Sequence, residues 1–250
     1  MAHKIATDRK LFVFDTMDEM DDFAVNIWNK IREESIAEKG IFTIALSGGQ
    51  TPVPFYRKLG ESVNPGLWNK TYIFFVDERF VSHSSKYSNY KTLKENLFLI
   101  IKKSAGGINP VPTGETTPQK AAEKYEKILK SFFRLSDKKF PEFDLILLGM
   151  GKDGHTASLF PGSNSLKEKK HLVIATRKKG DAIVERISLT LPVINNSKNI
   201  IFLVTGEEKA KTLKKVIENP KCNLPSSFVK PVNGIIYFLV DRQAASLFIE

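Results

Sequence analysis

Residues 143–148 carry five apolar side chains in six positions (Phe143, Leu145, Ile146, Leu147 and Leu148), broken only by Asp144. A run this short and without alternation reads as a strand buried on both faces. Residues 41–46, 200–204 and 235–240 repeat the pattern, and helix signals fall between them. Thr16 and Glu19 form a capping box that opens a helix running to Lys39. Its apolar stripe is Met20, Phe23, Ala24, Ile27, Trp28 and Ile31, and Gly40 is its stop. Thr51-Pro52 starts a helix to Leu59, Ser88 caps one reaching about Ile101, Thr117-Pro118 caps another, and Gly206 opens one to about Glu218. Further strands are expected at 11–14, 72–76, 171–176 and 184–189. Strands alternating with helices predict an α/β fold, a parallel sheet between helix layers. No fixed-period repeat or long low-complexity linker divides the chain, so one domain over residues 1–250 is expected.

The strand at 143–148 runs into a loop with glycines at 149, 151 and 154, which also carries Asp153 and His155 and is closed by Pro161. The glycines spell G-x-G-x-x-G, but a dinucleotide site also needs a following helix and an acidic residue about 20 residues on. Pro161 cuts the helix short, and the next strand, 171–176, ends without Asp or Glu. Ligands of open α/β sheets sit outside the carboxyl ends of the strands. A carboxylate and an imidazole two residues apart in such a loop suit proton transfer, and histidine, with an ordinary pKa near about 6.5, accepts protons at neutral pH.

Two other strand ends are polar. Ser47-Gly48-Gly49 lets backbone N–H groups and a helix N-terminus approach an oxyanion, and the absence of a following G-K-[ST] argues against a nucleoside triphosphate. Asp77-Glu78-Arg79 presents a guanidinium suited to phosphate or carboxylate. Lys209, one turn into the helix opened by Thr205-Gly206, is a further cation. Each also has a plain structural reading: a tight turn at Ser47, a surface pair of Arg79 with Asp77 or Glu78, a solvated Lys209, a structural His155. Nucleophilic catalysis lacks a G-x-S-x-G elbow. Of the two S-x-x-K matches, Ser88 to Lys91 and Ser227 to Lys230, the first is better explained as a helix cap.

Composition narrows the class. With 42% hydrophobic residues the chain can bury a core, which excludes disorder. The formal net charge of +10 is compatible with nucleic acid, an anionic membrane or a phosphorylated substrate. The lysines are scattered, however, and the densest runs (Lys167, Lys169, Lys170 and 177–179) lack interleaved aromatics, so no nucleic-acid partner is expected. The start, MAHKIATDRK, has no apolar h-region, and no run is long enough for a membrane span. The lone Cys222 makes no internal disulfide, and His3, His83, His155 and His171 show no ligand spacing, so no metal is expected. A cytoplasmic protein fits these features.

The segments LSGGQTP, VDERFV with SNYKTLKENL behind it, PTGETTPQKAAEKYE, GMGKDGHTASLFPGS, RISLTLPVIN and TGEEKAKTL occur in this order. Together they closely resemble the 6-phosphogluconolactonase family, over residues 11–240. The resemblance implies a three-layer α/β/α Rossmann-like domain with a mainly parallel sheet and no nucleotide. It implies hydrolysis of 6-phospho-D-glucono-1,5-lactone in the oxidative pentose phosphate pathway, with no cofactor. His155 would be the general base and Asp153 its support. Ser47, Gly48, Gly49, Arg79 and Lys209 would hold the phosphate, with Arg186 a secondary candidate. The related glucosamine-6-phosphate deaminases resemble D-E-Y where this chain has Asp77-Glu78-Arg79, and carry an acidic residue near Phe160. A deaminase-type enzyme and a non-catalytic sugar-phosphate sensor are the rival readings. The second would need a helix-turn-helix module, and only about ten residues precede the first expected strand.

Overall fold

The computed structural model describes residues 2–6, 8–62, 65–101, 104–178, 180–183, 185–219 and 221–248. The strands among these residues are β1 (Ala2–Ala6), β2 (Arg9–Phe14), β3 (Phe42–Leu46), β4 (Thr71–Phe75), β5 (Asp77–Arg79), β6 (Gly107–Asn109), β7 (Leu145–Gly149), β8 (Val173–Arg177), β9 (Glu185–Leu189), β10 (Asn199–Val204) and β11 (Ile235–Asp241). The helices are α1 (Met17–Lys39), α2 (Val53–Ser62), α3 (Asn89–Leu93), α4 (Pro118–Phe132), α5 (Leu191–Asn195) and α6 (Ala210–Glu218). The main sheet has the order β1-β2-β11-β10-β7-β3-β4-β6, parallel throughout except for β1 against β2.

Register shows how both faces are covered. Phe42 of β3 packs edge-on against Trp28 of α1, whereas Phe74, which pairs with the next-but-two residue Ala45, packs against Phe132 of α4. Side chains alternate along a strand and agree across a register. Helices α1 and α4 therefore lie on opposite faces, and the central strands β3 and β7 are buried on both faces, as their mainly apolar runs predict. Asp144, the exception beside β7, is fully buried at the end of the sheet away from the site. Its carboxylate accepts from the Thr43 N–H and hydroxyl, each at 2.8 Å, and pairs with Lys39.

Local signals set the helix ends. Thr16 and Glu19 complete the capping box of α1, and Gly40 ends it at φ +80° with its N–H on the Ile36 carbonyl. Ser88 and Thr117 cap α3 and α4. Three expectations need correction. Helix α2 starts at Val53, and the Thr51 hydroxyl meets that of Thr205 at 3.3 Å. Beyond Leu93, α3 widens into a π turn over Lys94–Phe98. Residues 207–209 form a 3₁₀ turn before α6 begins.

The larger correction concerns the strands expected at 171–176 and 184–189. They become β8 and β9, which leave the parallel sheet and join β5 in an antiparallel sheet of order β5-β9-β8 (Val184 lies outside the described residues). The reason is visible in β8, which is only partly buried along its length and so fits a sheet with one solvated face. Among the described residues no helix is long and apolar enough to cross a membrane.

Candidate active site

The chain leaves β3 for β4 and β6 on one side, then returns to the other side of β3 as β7. Strand order thus reverses between β3 and β7, where an open α/β sheet leaves a crevice at its carboxyl end. Ser47, just past β3, spans this point: its hydroxyl donates to the Leu147 carbonyl at 2.8 Å, and its own carbonyl accepts from Tyr56. The Ser47 hydroxyl proton is therefore committed to the scaffold. Gly48 is required by contact, since an added Cβ would lie 1.9 Å from Asn89 Oδ1. Gly49 is required by conformation, at φ +97°.

The loop after β7 is held from several sides. Gly151 N–H donates to the His155 carbonyl and Gly154 N–H to the Gly151 carbonyl, both at 2.9 Å. Ser226 holds the Gly154 carbonyl with its N–H and its hydroxyl. In this frame His155 Nδ1 lies 2.5 Å from Asp153 Oδ1, and the His155 backbone N–H donates to the same oxygen at 3.1 Å. An ionised carboxylate only accepts, so Nδ1 carries the hydrogen and Nε2 is left as the basic nitrogen. Burial would raise the Asp153 pKa, but the hydrogen bonds from His155 outweigh it and hold the carboxyl below its ordinary value. Gly151 makes room for the pair: a Cβ there would sit 2.1 Å from His155 Nδ1 and 2.7 Å from Asp153 Oδ1.

Cations come from the small sheet and, as Lys209, from the turn that follows β10. Arg79 and Arg186 are register partners across β5 and β9. Arg186 is buried, with Nε on the Ile183 carbonyl and Nη2 on Asp181 Oδ2 at 2.8 Å. Burial, then the like charge of Arg79, pushes its pKa down. The surface pair of Arg79 with Asp77 or Glu78 does not form. Its guanidinium Nη1 donates to the Tyr87 carbonyl at 2.6 Å, and Nε is buried without a partner among the described residues. Asp77 instead accepts from Ser158 Oγ at 2.6 Å and Asn89 Nδ2 at 3.2 Å. Glu78 is fully buried and accepts from the N–H groups of Arg79, Asn89 and Tyr90 and from the Ser88 hydroxyl. Burial pushes its pKa up to about 7 against those bonds.

These elements enclose a cavity of about 260 Å³. Ser47, Gly48, Gly49, Arg79, His155, Arg186 and Lys209 all line it, and Asp153 stands behind the imidazole. Sequence reasoning missed Asn89, Lys178 and Asp181, and took Asp77 only as a surface partner for Arg79; all four line the same space. Asn89 had a signal, since it follows the cap Ser88. The other histidines lie elsewhere: His83 stacks on Tyr90 with Nε2 at the Val111 carbonyl, and His171 pairs with Glu168. The side chain of His3 lies outside the described residues.

A sequence model described as glucosamine-6-phosphate isomerases/6-phosphogluconolactonase matches residues 15–238. The chain belongs to this family. Within it, the chain is similar to a 6-phosphogluconolactonase from a Synechocystis species, 38% identical over 213 residues that cover 84% of this chain and 86% of that protein. A Thermotoga maritima 6-phosphogluconolactonase is 36% identical, over 87% of this chain and 93% of its own. The solved Trypanosoma brucei 6-phosphogluconolactonase superposes with a TM-score of 0.85 at 30% identity, covering 96% of this chain and 98% of that one. A monomeric glucosamine-6-phosphate deaminase shares the fold, with a TM-score of 0.75 at 22% identity.

Proposed function

We propose that this chain, as one sugar-phosphate lactonase domain, hydrolyses 6-phospho-D-glucono-1,5-lactone to 6-phospho-D-gluconate in the oxidative pentose phosphate pathway. The observation that carries the reading is a Nδ1-anchored imidazole in the same small cavity as Arg79, Arg186 and Lys209. His155 Nε2 takes a proton from water as the water oxygen adds to the lactone C1. The tetrahedral adduct collapses, the bond from C1 to the ring oxygen breaks, and His155 returns the proton to that oxygen. Water is the only co-reactant. Asp153 fixes the tautomer and supports the imidazolium.

Arg79, Arg186 and Lys209, with the backbone of the Ser47–Gly49 turn, hold the phosphate through charge-assisted hydrogen bonds. The deaminase alternative needs further acid–base groups, and the apolar Phe160 ring packs 5.2 Å from the His155 ring. The test is a lactonase assay on freshly made lactone, corrected for spontaneous hydrolysis, with and without a chelator. Glucosamine 6-phosphate serves as the second substrate. Ammonium release without lactone opening would reverse the choice, and neither activity would leave the sugar-phosphate sensor.

A further inference from the structure

Three charged side chains between the start of the β8–β9 connection and β9 meet at the cavity wall. Asp181 Oδ2 lies 2.8 Å from Arg186 Nη2 and 3.4 Å from Lys178 Nζ, and all three residues line the cavity with Arg79 and His155. The Arg186 side chain is 6% exposed, so this ion pair is not of the weak surface kind. The Lys178 ammonium also sits 5.7 Å over the Phe160 ring. Asp77, the other acid in the lining, is engaged by the uncharged donors of Ser158 and Asn89. Asp77 also acts on Arg186 through space, but Asp181 is the one lining carboxylate, among the described residues, in direct ion pairs with cations facing the cavity.

We propose that Asp181 is a positioning residue that serves as a built-in counter-anion. It holds Arg186 and Lys178 while the cavity is free and yields them to an entering phosphoryl group. The inference rests on the sugar-phosphate reading of this site. A carboxylate oxygen takes up the same N–H donors a phosphate oxygen would use, so the two compete for Arg186. Every phosphorylated ligand then binds more weakly than the cations alone would bind it. The consequence matters most after the reaction, because lactone opening adds a carboxylate to a molecule that keeps its phosphate. A site of unopposed cations would retain that product.

The experiment is Asp181→Asn, followed by lactonase kinetics with inorganic phosphate and 6-phosphogluconate as inhibitors. Both inhibition constants are expected to fall by about ten- to a hundredfold, the size of one charge-assisted hydrogen bond regained by the ligand. KM should fall with them, and Asp181→Glu should restore values near wild type. Simple loosening of the segment would weaken anion binding, so the direction of change separates the two explanations. Should the Asn variant not fold, Asp181→Ser must give the same tightening. Inhibition constants that stay near wild type or rise, in an active lactonase, overturn the counter-anion role. Absence of lactonase activity in the wild-type protein overturns instead the reading of the site as a whole.

Discussion

Arg79 and Arg186 stand directly opposite one another in the register of β5 and β9. Like charges so placed destabilise a strand pair by about 0.2–1 kcal/mol, and a bridging anion removes that cost. Inorganic phosphate at a hundred times its Kd should therefore stabilise the protein by about 2.7 kcal/mol. Arg79→Ala should raise KM by about tenfold or more and shrink the phosphate-induced rise in Tm, since it removes a charged donor. Melting curves with and without phosphate check this, and an equal rise in both proteins would move Arg79 off the anion.

His155→Ala should lower kcat by about 10²–10⁴-fold, the usual contribution of a general base, with little change in KM. Asp153→Asn should also act on kcat, because an amide no longer dictates which ring nitrogen carries the hydrogen. Steady-state kinetics at neutral pH decide both. Activity within a few-fold of wild type in His155→Ala would remove the imidazole from the chemistry.

Gly151→Ala tests the imidazole–carboxylate pair without touching either partner. The new methyl would start 2.1 Å from His155 Nδ1, so the ring or the loop must shift. The expected result is a fall in kcat of about tenfold or more, as small displacements of a catalytic group cost heavily. Circular dichroism should stay native. Gly49→Ala differs in kind: nothing lies within 4 Å of its added carbon, but its left-handed backbone costs about 1–2 kcal/mol. It should lower Tm.

Two buried carboxyls set a pH dependence of stability. Burial pushes Asp21 up from 3.8 to about 6 and Glu78 up from 4.5 to about 7. The folded protein holds these protons more tightly than the unfolded chain does. Their contribution is full below the ordinary carboxylate pKa values and is lost as pH rises through about 6 and then about 7. Asp153 and Glu168 are shifted the other way, so their effect falls at lower pH. Asp21→Asn should accordingly gain Tm over wild type at about pH 8 and lose that gain near about pH 4. Parallel Tm profiles would contradict the assignment.

The signals that carried from sequence to structure were local. A capping box and a glycine stop need only neighbouring residues, so α1 was legible from Thr16 to Gly40. The Ser47–Gly49 and Asp153–His155 segments announced themselves by residue type at strand ends. What stayed hidden depends on pairing between distant segments. An apolar run such as 171–176 looks alike in a parallel and an antiparallel sheet, and only its docking beside β9 separates them. The opposition of Arg79 and Arg186 is a matter of register, and the approach of Asn89 to Gly48 joins residues about 40 apart. Asp181 was passed over because nothing local says that its partner Arg186, five residues on, is buried.

The cavity has two jaws of different make. The Ser47 turn and His155 belong to strand ends of the large sheet, while Arg79 and Arg186 belong to the small one. A phosphoryl group taken by Arg79 and Arg186 from one side and by the Ser47 turn and Lys209 from the other works as a staple between them. Occupancy should slow amide hydrogen exchange along β8 and β9, well beyond the residues the ligand touches, so the small sheet is where an empty and a filled molecule ought to differ most.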